Sequence, residues 1–127
     1  MSSFRGFVMT IAAAGALLAS SAFAHTKLVS STPAANATVA APPQITLSFS
    51  EGLIPKLSGA EIVMTGMPGM SDERMTISGY QTSTAADGKT LVLTLAQPLS
   101  TGNYQVAWHA VSTDTHRVEG ILAFTVK

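Results

Sequence analysis

Four stretches of this chain alternate with a period of two, and that pattern constrains the fold more than anything else in the sequence. Ile45, Leu47 and Phe49 alternate with Thr46, Ser48 and Ser50. Leu91, Leu93 and Leu95 alternate with Val92 and Thr94. Tyr104, Val106, Trp108 and Ala110 share one side of a long segment, with Gln105, Ala107 and His109 on the other. Ile121 to Val126 closes the chain in the same way, with Leu122, Phe124 and Val126 on one side. A period of two sends every second side chain to one face, so each stretch reads as a strand with one face in a core. Leu28 to Ser31, Ala60 to Thr65 and Met75 to Tyr80 add three further strand candidates. Thr32-Pro33, the Pro-rich residues 34–43, Asp87-Gly88 and Pro98 to Asn103 supply loops and turns. No stretch beyond residue 24 keeps a helical period. About seven short strands in about 100 residues predict an all-β Greek-key sandwich or barrel, with Trp108 between the sheets.

The first 24 residues stand apart from that pattern. Arg5 precedes an uncharged apolar run from Gly6 to Ala19, and Ala22-Phe23-Ala24 ends the segment. A basic start, a short apolar centre and an A-x-A ending define a secretory signal peptide, and the run is too short to span a bilayer comfortably. The expected domain organisation is therefore a removed leader over 1–24 and one domain over 25–127, with no membrane span in the mature chain and His25 as its first residue.

Composition narrows the chemistry. Basic and acidic residues balance at 7 each and only 11% of residues are charged, which argues against nucleic acid as a partner. The chain has no cysteine, so disulfides, thiolate zinc sites, iron–sulfur clusters and a cysteine-based blue-copper centre are excluded. Aromatic residues make up 6%, too few for a large aromatic-lined cleft.

Three groups of residues carry potential metal chemistry. A free α-amine and the imidazole of His25 can chelate one ion. The amine, with an ordinary pKa near 7.7–8.0, gives up its proton to a metal at neutral pH. Two nitrogen donors in one residue suit Cu(II). Asp114 and His116 lie two apart between the Trp108 strand and the last strand. In an extended segment both would face one metal, or Asp114 would fix the tautomer of His116; alone, the pair also fits a solvated surface turn. His109 faces away from Trp108 and reads as a surface residue. Met64, Met67, Met70 and Met75 fall within one 12-residue window. Gly66, Pro68 and Gly69 between them break a helix, and a spacing of three does not hold one face of a strand. The window therefore reads as a loop of soft thioether ligands for Cu(I), or else as a flexible apolar contact surface.

Together these residues resemble the CopC/PcoC family of periplasmic copper-resistance proteins. The resemblance runs through the His25-Thr26-Lys27-Leu28-Val29-Ser30-Ser31-Thr32-Pro33 start, Leu47-Ser48-Phe49-Ser50-Glu51, the methionine window, Trp108, Ser112-Thr113-Asp114-Thr115-His116 and the Phe124-x-Val126 finish. It implies a cupredoxin-related β-sandwich, a periplasmic location and two copper sites. His25, His116 and Asp114 would serve Cu(II), with Glu51 where some members place a carboxylate. Met64, Met67, Met70 and Met75 would serve Cu(I). Asp72 falls where some members add a histidine, and a hard carboxylate is a poor Cu(I) ligand. The expected partners are a CopD-like copper transporter of the inner membrane and a multicopper oxidase. The expected role is copper binding and transfer without turnover. Two rivals remain: a copper-dependent polysaccharide monooxygenase using His25, and an immunoglobulin-like module in which His25 is incidental.

Overall fold

The computed structural model describes residues 26–67 and 74–127. The leader, His25, Met70 and Asp72 lie outside them. Among the described residues the chain forms nine strands: β1 (Leu28–Thr32), β2 (Thr38–Val39), β3 (Gln44–Phe49), β4 (Gly59–Gly66), β5 (Met75–Thr76), β6 (Tyr80–Thr84), β7 (Thr90–Leu95), β8 (Gly102–Val111) and β9 (Arg117–Val126). A short 3-10 turn occupies Pro55–Leu57. One sheet has the order β1-β3-β7-β6 and the other β2-β9-β8-β4-β5. The chain changes sheet at every connection from β1 to β4, and again between β5 and β6 and between β7 and β8. The all-β sandwich predicted from alternation is thus the observed architecture.

The core follows the same pattern. Ile45, Leu47 and Phe49 of β3 and Leu91 and Leu93 of β7 face Ile62 of β4, Tyr104 and Val106 of β8, and Leu122, Phe124 and Val126 of β9; all are buried. Each fully buried aliphatic side chain contributes roughly 1.5–3 kcal/mol relative to exposure. Trp108 is half-buried and meets Phe49 edge-on at 5.1 Å and 66°, joining the two sheets. Its ring covers Gly120, directly opposite on β9, where an added Cβ would lie 2.4 Å from the ring.

Three expectations change in detail. Met75 to Tyr80 is not one strand. Met75–Thr76 pairs with β4 in one sheet and Tyr80–Thr84 with β7 in the other, and Gly79 (φ 84°) lies where the chain crosses over. The apolar–polar rhythm looks continuous because both pieces are extended. The loop over 34–43 contains β2, which runs parallel to β9 through Thr38↔Thr125 and Val39↔Val126. The last strand starts at Arg117 instead of Ile121, because all ten of its residues pair with β8. Asp87-Gly88 does turn the β6–β7 hairpin: the Asp87 carboxylate accepts the Lys89 N–H at 2.8 Å, and Gly88 has φ 72°.

Candidate metal sites at two ends of the sandwich

The hairpin between β8 and β9 carries Asp114 and His116. Its base closes through the Ser112 N–H on the His116 carbonyl (3.1 Å) and the Thr115 N–H on the Ser112 carbonyl (2.8 Å). Thr115 adopts φ 72°. The loop is therefore a turn, not the extended segment used to argue that Asp114 and His116 share a side. They converge because the turn folds the imidazole back onto the carboxylate. Asp114 Oδ2 lies 3.3 Å from His116 Nδ1, and Asp114 Oδ1 accepts the His116 backbone N–H at 3.1 Å and the Ser112 hydroxyl. The Ser112 hydroxyl foremost, then the His116 N–H, lowers the Asp114 pKa to about 2. The carboxylate is thus ionised across the whole neutral range. Asp114 facing Nδ1 is the kind of contact by which a carboxylate fixes the tautomer and orientation of an imidazole.

The segment from Ser50 to Leu53 ties this hairpin to the start of the described chain. Ser50 Oγ accepts the Lys27 N–H at 2.9 Å, and the Ser50 N–H returns to the Lys27 carbonyl at 2.9 Å. Two residues on, the Gly52 carbonyl accepts the Thr113 N–H at 3.1 Å, and Leu53 bridges to Ser112. Glu51 sits between these two ties. Thr26, the residue after His25, is buried. The same end is braced from below, where Val111 N–H donates to Ser58 Oγ at 2.9 Å and Ile54 N–H to the Val111 carbonyl at 2.8 Å. Sequence reasoning missed Ser50, Gly52 and Ser112 as builders of this end. Ser112 enters the sequence reading only within the Ser112-Thr113-Asp114-Thr115-His116 segment that carries the resemblance. His109 lies on the outer face of β8 with its ring over Gly59, Cε1 lying 3.3 Å from where a Cβ would stand. Among the described residues no group of three or more His, Cys, Asp or Glu side chains is placed to hold an ion. His25 lies outside that set.

Met64, Met67 and Met75 lie toward the opposite end of β8. Met64 pairs with Tyr104 on one side and Met75 on the other. Its side chain is 3% exposed and belongs to the core, where Gly102 leaves room for its methyl group. The argument from a spacing of three against a core role therefore does not hold for Met64. It alternates with Ile62 inside β4, and the spacing leaves the strand only after Gly66. Met75, opposite Met64 on β5, is 52% exposed, and Met67, the residue after β4, is 37% exposed. β8 is 10 residues long, so at roughly 3.3 Å per residue the two ends are about 30 Å apart.

A family model described as the CopC domain matches residues 28–127. The copper resistance protein C of Xanthomonas campestris pv. juglandis is 52% identical over the full length of both chains. That of Pseudomonas syringae pv. tomato is 50% identical over 94% of each. The crystal structure of PcoC, a methionine-rich copper resistance protein from Escherichia coli, superposes with a TM-score of 0.74 at 45% identity, covering 82% of this chain and all of that one.

Proposed function

This chain belongs to the CopC domain family, whose relatives are named copper resistance proteins, and from that premise we propose that it is an exported, periplasmic copper carrier with a Cu(II) site and a Cu(I) site at opposite ends. The observation that supports this reading is the Ser50–Leu53 segment, which is bonded both to Lys27, two residues after His25, and to the hairpin that carries Asp114 and His116. For Cu(II), the amine and imidazole of His25 chelate and His116 adds a nitrogen. Asp114 orients that ring, and Glu51, on the Ser50–Leu53 segment, is the carboxylate that would add an oxygen. For Cu(I), the exposed thioethers of Met67 and Met75 lead, and Met70 and the buried Met64 complete a soft set. Oxidation state then decides which end holds the ion. Copper is the cargo, passed to an inner-membrane CopD-like transporter or a multicopper oxidase. No helix among the described residues is long and apolar enough to cross a membrane.

The test is copper binding, in both oxidation states, by protein whose first residue is verified as His25 and by the same protein with one Ala placed before it. The extension removes the amine from chelating range of its own imidazole. Cu(II) affinity should fall at least tenfold while Cu(I) affinity holds. Equal Cu(II) affinity in the two proteins rejects the N-terminal site. Release of oxidised oligosaccharides from a polysaccharide with copper and a reductant would replace the carrier reading with the enzyme.

A further inference from the structure

We infer that Met67 and Met75 are modification sites, at which a peroxide converts the thioethers to sulfoxides and weakens the Cu(I) end, while Met64 is shielded and the fold persists. The inference rests on the Cu(I) reading above and deepens it by naming how that end is regulated. Met64 and Met75 stand directly opposite each other on β4 and β5, and residues so paired project from the same face. The two side chains differ sharply in access: Met64 is 3% exposed and Met75 52%. Met67 follows β4 and is 37% exposed. Oxidation needs the oxidant in contact with sulfur, so exposure divides the three.

The chemistry is a two-electron transfer of one oxygen. A sulfur lone pair attacks hydrogen peroxide, an S–O bond forms and the O–O bond breaks. The departing hydroxide takes the proton left on the transferred oxygen and becomes water, so sulfur is oxidised and peroxide reduced. Met75 lies on an edge strand of two residues, and at both exposed positions the new oxygen enters solvent. At Met64 it would enter the core. The Met64 methyl group fills the space beside Gly102, 2.8 Å from where a Cβ would stand. Its strand neighbour Tyr104 is buried against Phe124, and the Tyr104 hydroxyl is committed to the Ser100 carbonyl at 2.7 Å. A sulfoxide oxygen buried there without a donor is costly. Oxidation at Met67 and Met75 therefore replaces soft sulfur with a hard oxygen donor and releases Cu(I) without unfolding the sandwich. A methionine sulfoxide reductase fed by a dithiol reverses it, with two electrons and two protons carrying the oxygen away as water.

The experiment treats metal-free protein with hydrogen peroxide and maps methionine sulfoxide residue by residue over time by mass spectrometry. Met67 and Met75 should oxidise about tenfold faster than Met64. Once the peroxide is removed, protein oxidised at Met67 and Met75 and not at Met64 should keep the wild-type urea midpoint and Cu(II) affinity. Its Cu(I) affinity should fall about tenfold and return after treatment with sulfoxide reductases for both epimers. Met64 oxidising as fast as Met75, or unfolding that accompanies oxidation of Met67 and Met75 alone, would overturn the inference. Wild-type Cu(I) affinity in the oxidised protein would also overturn it, and the Met67→Leu/Met75→Leu variant then decides the premise. Lowered Cu(I) affinity in that variant would leave the Cu(I) reading standing, and wild-type Cu(I) affinity would overturn both. In the same variant peroxide should lower Cu(I) affinity far less than in wild type. An equal loss would place the switch at another residue and overturn the inference.

Discussion

Asp114 is an exposed carboxylate with three donors pointed at it, and its acid–base behaviour follows from them. Its folded pKa, about 2, lies below the ordinary aspartate value near 3.9. The folded state therefore favours the charged form. The stabilising contribution is complete above about pH 4 and disappears as pH falls through about 2. A carbon-detected NMR titration should place the Asp114 carboxyl midpoint near 2, and Ser112→Ala should raise it toward 4. A wild-type midpoint near 4 would mean that the hairpin bonds do not persist in solution. At this scale the sequence is partly legible. Asp114 and His116 can be picked out because carboxylate and imidazole two apart are few in a chain with 3 histidines. Ser112 cannot, because serine is common in turns and its importance comes from burial, which no residue type announces. Met64 shows the converse: its chemistry suggests a ligand, and its place in β4 makes it a core side chain first.

At the scale of elements, alternation locates strands well and boundaries poorly. β3, β7 and β8 coincide closely with their apolar rhythm because one face of each is buried against the other sheet. β5 and β6 merge in the sequence because the change of sheet at Gly79 is a tertiary event. β2 is invisible because two residues carry no period and owe their pairing to β9. The β8–β9 pair has a requirement that the sequence does reveal once the register is known. Trp108 lies across Gly120, and the ring is backed by Phe49 from the other sheet, so it has little freedom to retreat. Gly120→Ala overpacks this contact. It should destabilise the fold by about 1–3 kcal/mol, seen as a lower midpoint in urea with an unchanged slope. A change under about 0.5 kcal/mol would show that the indole shifts aside at little cost.

At the scale of the molecule, β8 acts as a spacer. Asp114 and His116 follow its C-terminal end, while Met64, Met67 and Met75 cluster at its N-terminal end, about 30 Å away. The sequence assigns ligand types to two oxidation states. It does not show that they sit at opposite ends, since that depends on β4 and β8 running antiparallel. The distance has a physical consequence. Two sites farther apart than about 10 Å that share no partner behave additively, and coupling over a rigid span requires an element with two discrete arrangements. β8 is hydrogen-bonded on both sides, to β4 and to β9, and one of its faces is packed into the core, which leaves no such element along it. The two proposed copper sites should therefore be energetically independent. Loading the Cu(II) end should change Cu(I) affinity by less than about twofold. Replacing Met67 and Met75 with Leu, both exposed and close to Leu in volume, should lower Cu(I) affinity and leave Cu(II) affinity and the urea midpoint unmoved. Chelator competition for each ion, with the other site filled and empty, measures both effects. A Cu(I) affinity that depends on Cu(II) occupancy would mean that the sandwich has a second arrangement, and a Met67/Met75 variant with wild-type Cu(I) affinity would make the methionine end a contact surface instead of a copper site.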